Sequence, residues 1–286
     1  ELLNLEIAGL SEVDFDLDLL GFDSSELDKL LVNDEEYLTD EDEVPEPPKE
    51  PKAKHGDIYQ LGEHRLMCGD STEIDDVDKL MNNKIADLVN TDPPYGVNYQ
   101  SNMRTKSDKF DIIKNDDKIL NITPIIEKFS KGWVFIWTTW KVIDKWINNT
   151  KSMGFPTNMI VWHKGGGGIG DLKKTFSSDY EMALVFHRGA ELCGKRIGSV
   201  WSLQKDKAVQ YKHPTQKPVE LSIEAIDKTT YRNSIIMDLF LGSGSTLIAC
   251  EKMDRICYGM ELDPKYVDVI IERWENFTGK KAKKIC

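Results

Sequence analysis

Seven apolar runs of six to eight residues recur between His55 and Leu262, and segments of helical length separate most of them. They are HRLMCGD (64–70), IADLVN (85–90), GWVFIWT (132–138), NMIVWHK (158–164), YEMALVFH (180–187), SIIMDLF (234–240) and ICYGMEL (256–262). Runs this short and this continuously apolar suit strands covered on both faces, and intervening helices supply the covers. Helices are expected at 73–82, 121–130, 139–153, 217–228, 245–253 and 264–278. The predicted class is therefore α/β, a doubly wound and mostly parallel sheet. The run at 180–187 follows that at 158–164 closely, which adds an antiparallel hairpin.

Charge divides the chain. Residues 1–51 hold 18 Asp and Glu against Lys29 and Lys49, whereas 52–286 hold 35 Lys and Arg against 31 acids. The body is mildly basic and the acidity belongs to an appendage. Residues 1–38 alternate apolar and acidic side chains and read as an amphipathic appendage; 39–54, rich in Pro and acids, read as an extended linker. The third unit is 55–286. A tether of this kind implies that a chain beginning near Lys52 keeps its function.

No apolar run reaches the roughly 18–20 residues of a membrane span, and no signal peptide is recognisable. A first residue of Glu1 reads as an excised piece of something longer. The five cysteines show no CxxC and no His/Cys spacing suited to zinc, so no metal is expected. Scattered thiols suggest a reducing cytoplasm.

Two segments carry chemistry. In DLFLGSGSTLIACE (238–251) a strand enters a GSG turn from which a helix starts. Such glycines let a ligand approach the backbone, yet the turn is neither G-x-G-x-x-G nor a phosphate loop. A ligand without phosphates fits it, and S-adenosylmethionine is one. Glu261 ends the next strand, where a doubly wound fold places an acid on ribose hydroxyls. The second segment, TDPPYG (91–96), leaves strand IADLVN through a stiff turn bearing one carboxylate and one aromatic ring.

With GDST (69–72), VWHK (161–164) and HPTQKPVEL (213–221), these segments resemble the amino-group DNA methyltransferases, in the permuted (beta-type) motif order with the catalytic half first. The resemblance covers about residues 55–280. It implies the Rossmann-like fold of S-adenosylmethionine-dependent methyltransferases, and it names residues. Asp92, Pro93, Pro94 and Tyr95 would be catalytic: Asp92 and the Pro93 carbonyl accept the hydrogens of an exocyclic amino group, and Tyr95 stacks on the extruded base. Asp70 would take the cofactor's adenine and Lys217 its carboxylate. Asp238, Phe240, Gly242, Gly244, Ser245 and Thr246 would form the cofactor turn, with Glu261 and Asp263 beside it. Trp162 would line the base pocket.

The implied partner is double-stranded DNA, with adenine methylated at its 6-amino group; cytosine at its 4-amino group and a catalytically silent DNA-binding module stay as alternatives. Phosphate contacts are expected from Arg104 and Lys106, and from a target-recognition segment at about 188–212 holding Arg188, Lys195, Arg196, Lys205, Lys207 and Lys212. The implied setting is the cytoplasm of a bacterial or phage-infected cell, with a homodimer left open. Residues 1–38 resemble the end of a ParB-like domain fused ahead of phage-type methylases.

Overall fold

The computed structural model describes residues 37–95, 119–166, 176–203 and 217–286, with Lys174 and a few positions before residue 23. Ten strands among these form one sheet: β1 (Ile58–Leu61), β2 (His64–Cys68), β3 (Ala86–Thr91), β4 (Ser130–Thr138), β5 (Asn158–His163), β6 (Tyr180–His187), β7 (Val200–Ser202), β8 (Ile235–Asp238), β9 (Ile256–Glu261) and β10 (Lys283–Lys284). Their spatial order is β10-β1-β2-β9-β8-β3-β4-β6-β5-β7. Strands β2, β9, β8, β3 and β4 run parallel. Strand β6 pairs antiparallel with both β4 and β5, the expected hairpin. The sheet is thus mixed, with a parallel centre.

Side-chain alternation explains the layers. On β3 Leu88 joins one core and Val89 the other; on β4 Phe135 and Trp137 point opposite to Val134 and Ile136. Helices α1 (Ile74–Met81), α2 (Thr123–Phe129) and α3 (Ile143–Asn149) cover one face through Leu80, Ile126 and Trp146. Helices α4 (Val219–Thr229), α5 (Ser245–Lys252) and α6 (Pro264–Thr278) cover the other through Ile226, Ile248 and Trp274. Two covered faces leave no position for polar alternation, so the central strands read as unbroken apolar runs. Helix α6 matches its expected bounds because both ends are marked: Asp263 caps the Lys265 N–H at 3.1 Å, Pro264 follows, and Gly279 closes it with φ 72°. The helix expected at 139–153 is instead α3 flanked by 3-10 turns at Trp140–Val142 and Lys151–Met153.

The segment read as a linker is extended, and its attachments dock it on the body. Tyr37 stacks on Phe277 with centroids 4.1 Å apart, and Leu38 N–H donates to the Phe277 carbonyl at 3.0 Å. The Glu41 carbonyl accepts from buried Arg273 at 2.6 Å, and Glu41 pairs with Lys252. Asp42 Oδ1 accepts from Val219 N–H at 3.0 Å, capping α4, and Ala53 N–H donates to Asp268 at 3.1 Å. Arg273 also donates to the Ser243 carbonyl at 2.8 Å, so the arm reaches the glycine turn through one side chain.

A chain truncated to begin at Lys52 is therefore expected to lose stability rather than behave as the full chain. Losing a cap, an aromatic stack and an acceptor for a buried guanidinium costs about 3 kcal/mol together. That lowers Tm by roughly 6–12 °C for a body of this size. Thermal denaturation of both chains checks it, and an unchanged Tm would show the contacts to be idle.

Candidate active site

All five parallel strands end at one edge, and the chemistry-bearing residues follow those ends. Cys68 of β2 pairs with Glu261 of β9, and Asp238 of β8 with Gly259. Thr91 of β3, beside β8, pairs with Ile136 of β4, and Asp92 follows it. Asp70, Glu261, the Gly242–Gly244 turn, Asp92 and Thr138 thus succeed one another across the edge. Beyond β4 the sheet turns antiparallel. Open α/β sheets bind ligands at such carboxyl ends.

Asp92 sits in a compact ionic cluster. Its Oδ1 accepts from the Tyr95 hydroxyl at 2.9 Å, and its Oδ2 from the Lys217 ammonium. Lys217 Nζ lies 3.4 Å from Glu181 Oε2, while Glu181 Oε1 accepts from Lys164. The Tyr95 and Trp137 rings flank Lys217 at 5.9 and 5.7 Å. Burial pushes the Asp92 carboxyl up, against the pull of Lys217. Burial draws Lys217 down, but Asp92 and Glu181 outweigh it and hold the ammonium above its usual range. Lys217, expected at a cofactor carboxylate, is thereby found on the carboxylate of Asp92.

The glycine turn is built around Glu261. Its Oε2 accepts from Gly242 N–H at 2.9 Å and its Oε1 from Asp263 N–H at 2.8 Å. Burial raises the carboxyl to about 7, these two N–H bonds notwithstanding. Gly242 and Gly244 have φ of 57° and 91°, and a Cβ on Gly244 would stand 3.3 Å from Ile270. Asp238, raised to about 6 by burial, accepts from Phe240 N–H at 3.1 Å and from the Thr91 hydroxyl at 3.3 Å. It ties the turn to the strand carrying Asp92.

Several expected contacts turn inward instead. The Ser245 hydroxyl donates to the Lys217 carbonyl at 2.8 Å, Thr246 Oγ1 lies 3.5 Å from Ser222 Oγ, and Asp263 caps α6. Asp70 forms a turn with the Thr72 N–H and hydroxyl, at 2.9 and 2.7 Å. Phe240 is half-buried. Trp162 is corrected. It is fully buried, its indole N–H donates to the Leu203 carbonyl at 2.9 Å, and its ring underlies Lys164 at 5.3 Å, so it offers no face to a base.

Arg188 is corrected as well. Strand β6 runs opposite to β4, with His187 against Trp133, so the chain leaves it at the amino edge, away from Asp92. There Arg188 donates to the Glu127 and Ser130 carbonyls at 2.7 and 2.9 Å. Cys193 N–H, bonded to the Lys228 carbonyl at the end of α4, keeps this loop at that edge. Lys195 and Arg196 are exposed in the same loop. Arg104, Lys106, Lys205, Lys207 and Lys212 lie outside the described residues. Strand β7 runs parallel to β5 and returns the chain to the carboxyl edge at Ser202.

Sequence reasoning missed Glu181, Lys164 and Asn90. Asn90 accepts from Trp137 Nε1 at 2.9 Å and donates to Ser222 Oγ at 3.2 Å, joining β3, β4 and α4 beneath Asp92. Its signal was a polar residue inside an apolar strand.

Among the described residues, no group of three or more His, Cys, Asp or Glu is arranged to hold a metal ion, and no helix is long and apolar enough to cross a membrane. Family models match twice: DNA methylase over residues 86–272, and ParB-methyltransferase HTH domain over residues 1–55. The chain is 26% identical to the type II methyltransferase M.BglII of Bacillus subtilis, over 64% of itself and 62% of that protein. It is 26% identical to M1.MboII of Moraxella bovis, over 72% of itself and 93% of the relative. It thus spans about six-tenths of the first of these relatives. The M1.HpyAVI–SAM complex shares the fold with a TM-score of 0.54 at 23% identity, covering 73% of this chain and 98% of that one. The cytosine-N4-specific PvuII DNA methyltransferase also reaches 0.54, at 15% identity, covering 75% of this chain and 87% of that one.

Proposed function

This chain belongs to the DNA methylase family, and we propose that it transfers a methyl group from S-adenosylmethionine to the 6-amino group of adenine in double-stranded DNA. One observation carries the reading: Asp92, on a Pro-Pro turn after β3, stands at the strand end next to the glycine turn that follows β8, and two strand ends from Glu261, which holds that turn.

The residues at the turn fit the cofactor. A buried carboxylate poised near neutrality suits the hydroxyls of a ribose, and positive-φ glycines leave the backbone bare for close approach. Glu261 would hold the ribose, Gly242 and Gly244 the surface beneath it, Phe240 a ring face and Asp70 the adenine amino group. When bound, the cofactor supplies an electrophilic sulfonium methyl.

The chain's own task is to make an amino nitrogen nucleophilic. That lone pair is delocalised into the base ring. Asp92 and the Pro93 carbonyl would accept the two amino hydrogens and draw the nitrogen toward tetrahedral geometry, which frees the lone pair for in-line attack on the sulfonium methyl. As the bond to nitrogen forms the bond to sulfur would break, and the nitrogen's surplus proton would pass to the Asp92 carboxylate. Proline fixes φ and brings no competing N–H, so the acceptors are set before the base arrives. Tyr95 stacks on the base once extruded.

The resemblance favours adenine, because family members that methylate cytosine at its 4-amino group more often have Ser where this chain has Asp92. Cytosine at its 4-amino group is the second reading, because the same two acceptors serve it and a cytosine-specific enzyme shares the fold. DNA phosphates would meet Arg104, Lys106, Lys205, Lys207 and Lys212, with recognition narrowed to the part of the expected segment that follows Ser202, where β7 reaches the carboxyl edge. Nucleoside mass spectrometry of plasmid DNA from cells expressing the chain is expected to show N6-methyldeoxyadenosine above the vector control. N4-methylcytosine would select the second reading, and no new methylated base would favour a silent binding module.

A further inference from the structure

Every carboxylate oxygen of Asp92 is engaged by the protein's own donors: Oδ1 by Tyr95 Oη at 2.9 Å and Oδ2 by Lys217 Nζ. A base amino group must share the Asp92 carboxylate with these donors, and compete with the Lys217 ammonium for its charge, unless one of them withdraws. Both donors have the same alternative acceptor. Glu181 Oε2 lies 3.4 Å from Lys217 Nζ and 3.5 Å from Tyr95 Oη. Glu181 is the second residue of β6, which lies beside β4 and starts at the carboxyl edge, so its carboxylate reaches the donors on Asp92.

We propose that Glu181 is a positioning residue for methyl transfer: as the target base enters, it takes over Lys217 and Tyr95, and Asp92 is released to accept the amino group. The inference rests on the reading of Asp92 as that acceptor. Lys217 needs to close a gap of about half an ångström to reach ordinary hydrogen-bond distance from Glu181, and Tyr95 needs to turn its hydroxyl and close a slightly larger gap from 3.5 Å. Charge favours an exchange inside the cluster over departure from it. Asp92 and Glu181 are balanced by Lys217 and Lys164, and losing Lys217 to solvent would leave two carboxylates with one cation in a poorly hydrated site. Lys164 holds the other oxygen of Glu181 and rests over Trp162, which keeps Glu181 aimed at the exchange.

The test is single-turnover transfer on plasmid DNA at saturating S-adenosylmethionine, with cofactor and DNA dissociation constants measured on the same preparations. Glu181→Gln keeps the shape but cannot hold the ammonium as well, so Lys217 stays on Asp92. The rate is expected to fall about 10–100-fold, the worth of one charged hydrogen bond, while both dissociation constants stay within a few-fold. Adding Lys217→Met removes the blocking cation, so the double variant is expected to transfer faster than Glu181→Gln alone, a non-additivity that a merely structural role would not produce. Glu181→Asp, with the charge kept and the reach shortened, should fall between wild type and Glu181→Gln, and it answers the question if Glu181→Gln folds poorly. Wild-type rate in both Glu181 variants, or a double variant slower than Glu181→Gln by the full cost of Lys217→Met, overturns the exchange. Asp92→Ala run alongside separates the premises: if it too transfers at wild-type rate, the acceptor reading falls first.

Discussion

Asp92→Ala is expected to lower the single-turnover rate by at least about 100–1000-fold, the usual cost of deleting one preorganised polar group from a reacting centre. The loss should fall on turnover, because Asp92 acts on charge that develops at the nitrogen rather than on substrate at rest. DNA affinity should stay within a few-fold, since phosphate contacts dominate it. The structure adds a reason for the protein to survive the change: Lys217 keeps Glu181 as a partner, so no buried cation is left alone. The pH dependence should follow. The ionised carboxylate is the stronger acceptor, and burial raises the Asp92 carboxyl, so the wild-type rate falls as pH drops through its range. Rapid-quench kinetics across pH, with both binding constants measured in parallel, check each statement.

Glu261→Ala should weaken S-adenosylmethionine binding by more than about tenfold, since charge-assisted bonds to a diol contribute roughly 1.5–3 kcal/mol. The wild-type protein should also bind more weakly as pH falls. With the free carboxyl at about 7 and an ionised group required in the complex, affinity drops roughly tenfold between pH 8 and pH 6. The alanine variant loses that slope. Stability runs the other way: a carboxyl raised on folding contributes fully below its usual value near 4.5, and the contribution is lost as pH rises through about 7. Calorimetry at several pH values decides, and a flat wild-type profile would take Glu261 out of the cofactor site.

The central strands were legible because burial on both faces writes itself as continuous apolar runs, and α6 because a cap, a proline and a glycine mark its ends. Strands β1, β7 and β10, of four, three and two residues, are defined by their partners rather than by their own composition. The docked arm was illegible for a similar reason. Its acidic, Pro-rich sequence reads as solvated, and its attachments are single groups such as Asp42 on Val219 N–H. Proximity in sequence misled at Arg188: the residue follows the hairpin, but reversal of chain direction in β6 carries it to the opposite edge. Glu181 was overlooked because an acid at the head of an apolar strand looks like a boundary. Only the fold brings it within reach of Lys217, 36 positions later in the chain and 3.4 Å away.

The central claim is that Asp92 activates an exocyclic amino nitrogen for direct attack beside the glycine turn. Its most direct test uses the purified chain, S-adenosylmethionine carrying a trideuterated methyl group, plasmid DNA, and mass spectrometry of the digested nucleosides. The account predicts the labelled methyl on N6 of deoxyadenosine with the wild-type chain, and label at or near background with Asp92→Ala. Label on carbon 5 of cytosine, or equal label from both proteins, would contradict it.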